Sequence, residues 1–145
     1  MIQSLLSRLL SPTPERLPEP DAHLALAALL VRVARSDGDY AGSEVARIDR
    51  VLMERHGLSP FEAAGLRTEA ESLEAAAPDT VRFTRALKAA TAHEDRADLM
   101  VALWSVALAD GARDSEEDTL LRMVANLLGL TDVDSALARQ RAQKK

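Results

Sequence analysis

Apolar residues recur at three- and four-residue intervals along most of this chain. Ile2, Leu5, Leu6, Leu9 and Leu10 make a first stripe, the spacing of a short amphipathic helix. The segment Ser11 to Pro20 interrupts it with four prolines. Such a run cannot continue a helix and favours an extended arm. Helical spacing resumes with Leu26, Leu29, Leu30, Val33 and Ala34. This predicts a helix that begins near Asp21, a plausible N-cap, and stops at Asp37-Gly38. A second helix is predicted from about Ser43 to Arg55, with Val45, Ile48, Val51 and Leu52 inward and His56-Gly57 at its end. Ser59-Pro60-Phe61-Glu62 reads as a capping box with proline at the first helical position. The third helix therefore starts there and runs to about Ala76, before Pro78. Asp79 or Thr80 opens a fourth, carrying Val81, Phe83, Leu87 and Ala90. His93 to Ala109 forms a fifth, with Leu99, Leu103, Val106 and Ala107 inward and Trp104 beside that face. Asp114-Ser115-Glu116-Glu117 opens a sixth, with Leu120, Leu121, Val124, Leu127 and Leu128, ended by Gly129. Thr131 starts a short last helix that is expected to stop near Arg139. No useful stretch alternates with period two, so no strand is predicted.

The expected fold is all-α, a bundle of about seven helices. Residues 1–20 would form an amphipathic helix and proline-rich arm, 21–140 the helical domain and 141–145 a basic tail.

A motif occurs twice within this pattern, 73 positions apart. The first copy is Val33-Ala34-Arg35-Ser36-Asp37-Gly38, followed by Glu44 and Ile48. The second is Val106-Ala107-Leu108-Ala109-Asp110-Gly111, followed by Glu117 and Leu121. Each copy closes on Gly-Leu and a hydroxyl residue, Gly57-Leu58-Ser59 and Gly129-Leu130-Thr131. An internal repeat predicts two related helix–loop–helix halves packed about an approximate two-fold axis. Leu30, Val33, Ile48, Leu52, Leu103, Val106, Leu121 and Val124 should then be buried.

Composition narrows the function classes. The 145 residues match one domain with a core of its own. Alanine and leucine dominate the apolar set and aromatics are only 3% of the chain, as suits a helical protein. A net charge of -5 argues against binding along a nucleic-acid backbone, which needs a basic face. The one basic cluster, Arg139, Arg141, Lys144 and Lys145, reads as a solvated tail. With no cysteine, thiolate metal sites, cysteine nucleophiles and disulfides are excluded, and a cytoplasmic location is compatible. No apolar run approaches the ~20 residues of a membrane span, and Met1 to Leu10 lacks the cleavage site of a secretory signal.

The repeated acids are the candidate chemistry. In each half an Asp ends one helix and a Glu opens the next, so a loop folded back on itself brings two carboxylates and nearby carbonyls together. Calcium and magnesium favour such oxygen-only surroundings. The interval from Gly38 to Glu44, and from Gly111 to Glu117, equals that between glycine and final glutamate in an EF-hand loop. The positions ahead of it do not match, because Val33, Arg35, Val106 and Leu108 stand where acidic ligands are needed. The same acids also have a structural reading. Asp114 and Glu117 make a capping box, and Asp-Gly is ordinary helix-stop chemistry. Ala41 stands where Asp114 does, so Glu44 lacks a side-chain partner for such a box, while Asp39 adds a carboxylate that Ala112 replaces in the second half.

Ser36-Asp37-Gly38 with Glu44 and Ile48, repeated as Ala109-Asp110-Gly111 with Glu117 and Leu121, resembles the TerB-like family. Its members are small all-helical proteins and domains associated with tellurite resistance and, as embedded domains, with some co-chaperones. The resemblance covers about Ala22 to Ala138 and departs at Ser36, where a small apolar residue is common. It implies an acidic surface that binds a divalent cation, calcium or magnesium, onto which Asp37, Glu44, Asp110 and Glu117 map. It also implies a non-enzymatic role in tellurite or stress response or in scaffolding. The alternative is a co-chaperone-like adaptor for a protein partner, in which the acids are structural.

Nothing else in the chain points to catalysis. His23, His56 and His93 have no metal-ligand spacing, and no nucleophile elbow or glycine-rich phosphate loop is present. His56 reads as a helix-end residue and Trp104 as inter-helix packing. The stripe of residues 1–10 needs a partner. Its own body or a second copy of the chain is the expected one. Attachment to a membrane surface is disfavoured, because Arg8 is the segment's one basic residue.

Overall fold

The computed structural model describes residues 19–36, 38–76, 80–109 and 115–144, without the side chains of 19–21 and 115–117. The amphipathic stripe and proline arm therefore lie outside the described residues, apart from the first helical turn. Seven helices are described: α1 (Glu19–Arg35), α2 (Gly42–His56), α3 (Pro60–Ala76), α4 (Thr80–Ala90), α5 (His93–Ala107), α6 (Ser115–Leu127) and α7 (Asp132–Gln143). Among the described residues there is no strand. The fold is all-α, as the periodicity predicts.

Two helices form the centre. In α1 every residue from Leu24 to Val31 is buried, and in α5 every residue from Leu99 to Ala107. A helix apolar on all sides is one enclosed by neighbours. α1 packs against α3, α4, α5, α2 and α6, while α5 packs most closely on α7 and also meets α1, α2 and α6. The outer helices bury one face each: Ile48 and Leu52 in α2, Phe83 and Leu87 in α4, Leu121 and Val124 in α6. All eight residues singled out above as core are fully buried, at 0% exposure.

The repeated Gly-Leu-Ser/Thr segments make the same turn twice. Gly57 and Gly129 take φ of 66° and 81°, the left-handed region that suits a residue without Cβ. The N–H of Leu58 donates to Met53 O (3.2 Å), and that of Leu130 to Ala125 O (2.9 Å). Each bond is the longer closure of a Schellman motif. A capping box follows at once. The Glu62 N–H donates to Ser59 Oγ (3.1 Å) and the Ser59 N–H to Glu62 Oε1 (2.9 Å). The Asp134 N–H donates to Thr131 Oγ1, and the Thr131 N–H to Asp134 Oδ2, both at 3.0 Å. These bonds hold both carboxyls below their ordinary pKa, because a backbone N–H donates to the charged form.

Three local expectations change. α1 begins at Glu19, so Asp21 lies inside the helix, with Pro20 in its first turn, where a missing N–H costs nothing. Val81 is 40% exposed and lies off the core stripe of α4. α7 continues through Gln143, four residues past the predicted end, because Ala138 and Ala142 bury against α5 and no stop residue intervenes. Two members of the supposed solvated tail are therefore engaged. The Arg139 guanidinium lies 5.6 Å from the Trp104 ring centroid, and Arg141 Nη2 donates to Asp98 Oδ1 at 2.9 Å.

Candidate functional site

The loop between α1 and α2 carries the first copy of the acidic motif. The Gly38 N–H donates to Arg35 O (3.0 Å), and the Ser36 hydroxyl donates back to Val33 O (2.7 Å). The loop is anchored outward through Tyr40. Its hydroxyl donates to Glu71 Oε2 on α3 (2.8 Å), and the Arg35 guanidinium lies 5.0 Å from its ring centroid. Burial, and then the neighbouring Glu71 carboxylate, push the Tyr40 phenol far above its ordinary pKa, so it stays a donor.

Ion pairs brace this anchor on α3. Arg67 donates to Asp49 Oδ1 on α2 (2.6 Å) and to Glu71 Oε2 (3.0 Å). Glu74 receives Arg32 Nε at 3.0 Å and Arg35 Nη1 at 2.7 Å, both from α1. The side chains of Glu74 and Arg67 are 13% and 18% exposed, so these pairs are shielded from solvent and form a connected network. It holds the end of α1 and the middle of α2 against one helix.

Glu44 sits at the opening of α2 with 0% of its surface exposed. Its Oε1 accepts the Ala41 N–H at 3.2 Å. Ala41 offers no side-chain oxygen in return, so this is half of a capping box. The glutamate serves a backbone donor of the first turn, as the dipole there favours. Complete burial still makes Glu44 unlike Glu62 and Asp134, which cap from solvent.

The other three proposed ligands cannot be placed beside it. Asp37 and Asp110 lie outside the described residues. Glu117 lies on the first turn of α6, with its side chain outside them. Asp114, its proposed capping partner, is also outside, and Asp39 is exposed. Among the described residues, no group of three or more His, Asp or Glu is arranged to hold a metal ion.

One arrangement has no signature in the local pattern. His23 of α1 and His56 of α2 stack with ring centroids 3.6 Å apart and planes 17° apart. His56 Nε2 is buried with no hydrogen-bond partner in the described structure. Burial, then His23, then Arg55 lower its pKa to about 4, so the ring is neutral at pH 7. The two histidines lie far apart in sequence, and only the packing of α1 on α2 joins them. Trp104 packs as the sequence predicts: it is buried and donates Nε1–H to Ser135 Oγ on α7 at 3.2 Å.

Five helices around two central ones, with an acidic loop opening α2, make a small all-helical domain. The model of the family described as tellurite resistance protein TerB matches residues 23–140, and the chain belongs to that family. The match runs from within α1 to within α7, so it takes in part or all of each of the seven described helices. Comparisons with curated proteins and with solved structures return no match. No described helix is long and apolar enough to cross a membrane.

Proposed function

We propose that this TerB domain is a non-enzymatic, cytoplasmic module that binds a divalent cation through Asp37, Glu44, Asp110 and Glu117, and that it acts in tellurite or stress response or as a scaffold. The observation that carries the reading is Glu44, a fully buried carboxylate at the acidic loop. A buried carboxylate needs compensation by donors or positive charge. The Ala41 N–H donates to one of its oxygens, and an anionic oxygen at such a loop is the kind of ligand a hard cation takes. The donor set fits calcium or magnesium, being oxygen-only and anionic. When bound, the cation would supply positive charge that joins the loop to the helix it precedes. Asp37 and Glu44 would hold it from the first half, and Asp110 and Glu117 from the second.

The test is a calcium, magnesium and manganese titration of the full chain, followed by NMR and thermal unfolding. Calcium at 100 times its dissociation constant should stabilise the fold by about 2.7 kcal/mol. Glu44→Gln should abolish that gain, and binding should weaken in acid as the ligands protonate. Spectra unchanged by all three metals at millimolar concentration would remove the cation reading.

A second reading, an adaptor for a protein partner with structural acids, has its own support. Glu44 Oε1 already accepts the Ala41 N–H, which is ordinary capping. On that reading metals change nothing, and Glu44→Ala costs about 0.5–2 kcal/mol, the usual worth of a helix cap.

A further inference from the structure

Where α2, α5 and the end of α7 meet, a cleft of about 330 Å³ opens along the Arg47–Val51–Arg55 flank of α2, beside its buried Glu44–Ile48–Leu52 face. We propose that this cleft binds a small organic dianion, a phosphate monoester carried on an apolar body.

The charge of the walls is the first argument. Four arginines, Arg47, Arg50, Arg55 and Arg141, line the cleft with only two acids, Glu54 and Asp98. Both acids are already used: Arg50 Nε meets Glu54 Oε1 at 3.0 Å, and Arg141 Nη2 meets Asp98 Oδ1 at 2.9 Å. Among the described residues, Arg47 and Arg55 have no carboxylate within ion-pair distance. Two uncompensated guanidinium groups thus share one concavity in a molecule whose net charge is -5. A dianion balances that pair, and the planar fork of arginine suits phosphate oxygens.

The floor is the second argument. Val101 and Ala102 of α5 are buried beneath the cleft, and Val51 of α2 is half-buried at its side, so the base is apolar while the rim is charged. Buried Ser105 spends its hydroxyl proton on Ala102 O at 2.7 Å. Its hydroxyl is therefore satisfied within the helix and leaves the floor without an unpaired donor. The volume falls at the lower end of small-ligand sites, roughly 300–1,000 Å³. The two rim pairs do not close it, since their side chains are 51–64% exposed, and exposed pairs hold their geometry weakly.

The sequence explains why these groups converge. Arg47, Val51, Glu54 and Arg55 follow helical spacing on one flank of α2. Asp98, Val101, Ala102 and Ser105 do the same on α5. Arg141 joins them because α7 runs on to Gln143.

Phenyl phosphate, inorganic phosphate and benzyl alcohol, each titrated into the labelled full chain, test the proposal. Phenyl phosphate should shift the amides of Val51, Ala102 and Ser105 saturably. Inorganic phosphate should bind more weakly, and benzyl alcohol should leave those amides unmoved. The double substitution Arg47→Gln with Arg55→Gln should weaken phenyl phosphate at least about tenfold, the equivalent of 1.4 kcal/mol, with the remaining spectrum preserved. Affinity should also fall below about pH 6, where a phosphomonoester loses its second charge. Three results would each overturn the proposal: no saturable shift by phenyl phosphate at millimolar concentration, equal binding of phenyl phosphate and inorganic phosphate, or a double variant that binds as the parent does.

Discussion

At the scale of the residue, buried polar groups set the chemistry of this domain. His56 is half-buried against His23, and its pKa is lowered to about 4 from 6.5. A histidine so depressed binds fewer protons when folded than when unfolded, so acid favours unfolding. Its contribution to stability is complete above the unfolded value of about 6.5 and is lost as pH falls toward 4. Thermal unfolding followed across this window should show the melting temperature dropping toward acid. His56→Gln should flatten that part of the profile, by on the order of 1 kcal/mol once solvent screening of a half-exposed ring is allowed for. An unchanged profile in the variant would assign the acid sensitivity to other groups. Trp104→Phe keeps the buried ring but loses the bond to Ser135 Oγ. Denaturant titration should register about 1 kcal/mol of destabilisation, more if the hydroxyl is left unsatisfied.

Among elements, helix ends carry the repeat. The Gly57 and Gly129 turns close α2 and α6 with the same bond pattern, and Ser59 and Thr131 then open α3 and α7 with the same box. These devices act over four or five residues, which is why they are readable in the sequence. Gly57→Ala and Gly129→Ala place a Cβ on left-handed backbone, and each should cost about 1–2 kcal/mol in equilibrium unfolding. Open space surrounds the Cβ position at Gly57, while at Gly129 the nearest atom is Arg96 Nη1 at 3.6 Å, ordinary contact. The cost is therefore conformational and should be similar at both sites. A large difference between the two variants would point to a clash instead. The end of α7 is the element least legible in advance. Arg139 to Gln143 contains neither glycine nor proline, and charge alone suggested a tail. Burial of Ala142 decides the matter.

In the whole molecule, stability resides in the two enclosed helices. Leu103→Ala and Leu30→Ala remove fully buried side chains and should each cost about 2–5 kcal/mol, depending on how far the site collapses. Leu137→Ala, at a site 53% exposed, should stay within about 0.5 kcal/mol of the parent. The alanines matter as much as the leucines. Ala25, Ala27 and Ala28 are at 0% exposure, so neighbouring helices approach α1 there. Ala28→Leu should destabilise by about 1–3 kcal/mol through overpacking, measured by the same denaturant titrations. A neutral outcome would mean that the interior has slack around α1.

The sequence by itself determined that the chain is helical, where most helices start and stop, and, Val81 apart, most of the leucines, isoleucines and valines that face inward. Periodicity and caps are local, and each is settled within one or two turns of chain. It also displayed the TerB motif, since Asp-Gly and the following Glu are spaced along a single loop and helix. The tertiary structure alone decided that Leu24–Val31 of α1 and Leu99–Ala107 of α5 are buried all round, because alanine is compatible with either a surface or a close helix contact. It alone brought His23 onto His56, buried Glu44 completely, and set Arg47 and Arg55 beside an apolar floor with no ion-pair partner among the described residues. Each of these depends on residues from different helices, and side chains distant in sequence acquire a common environment only when the helices carrying them pack.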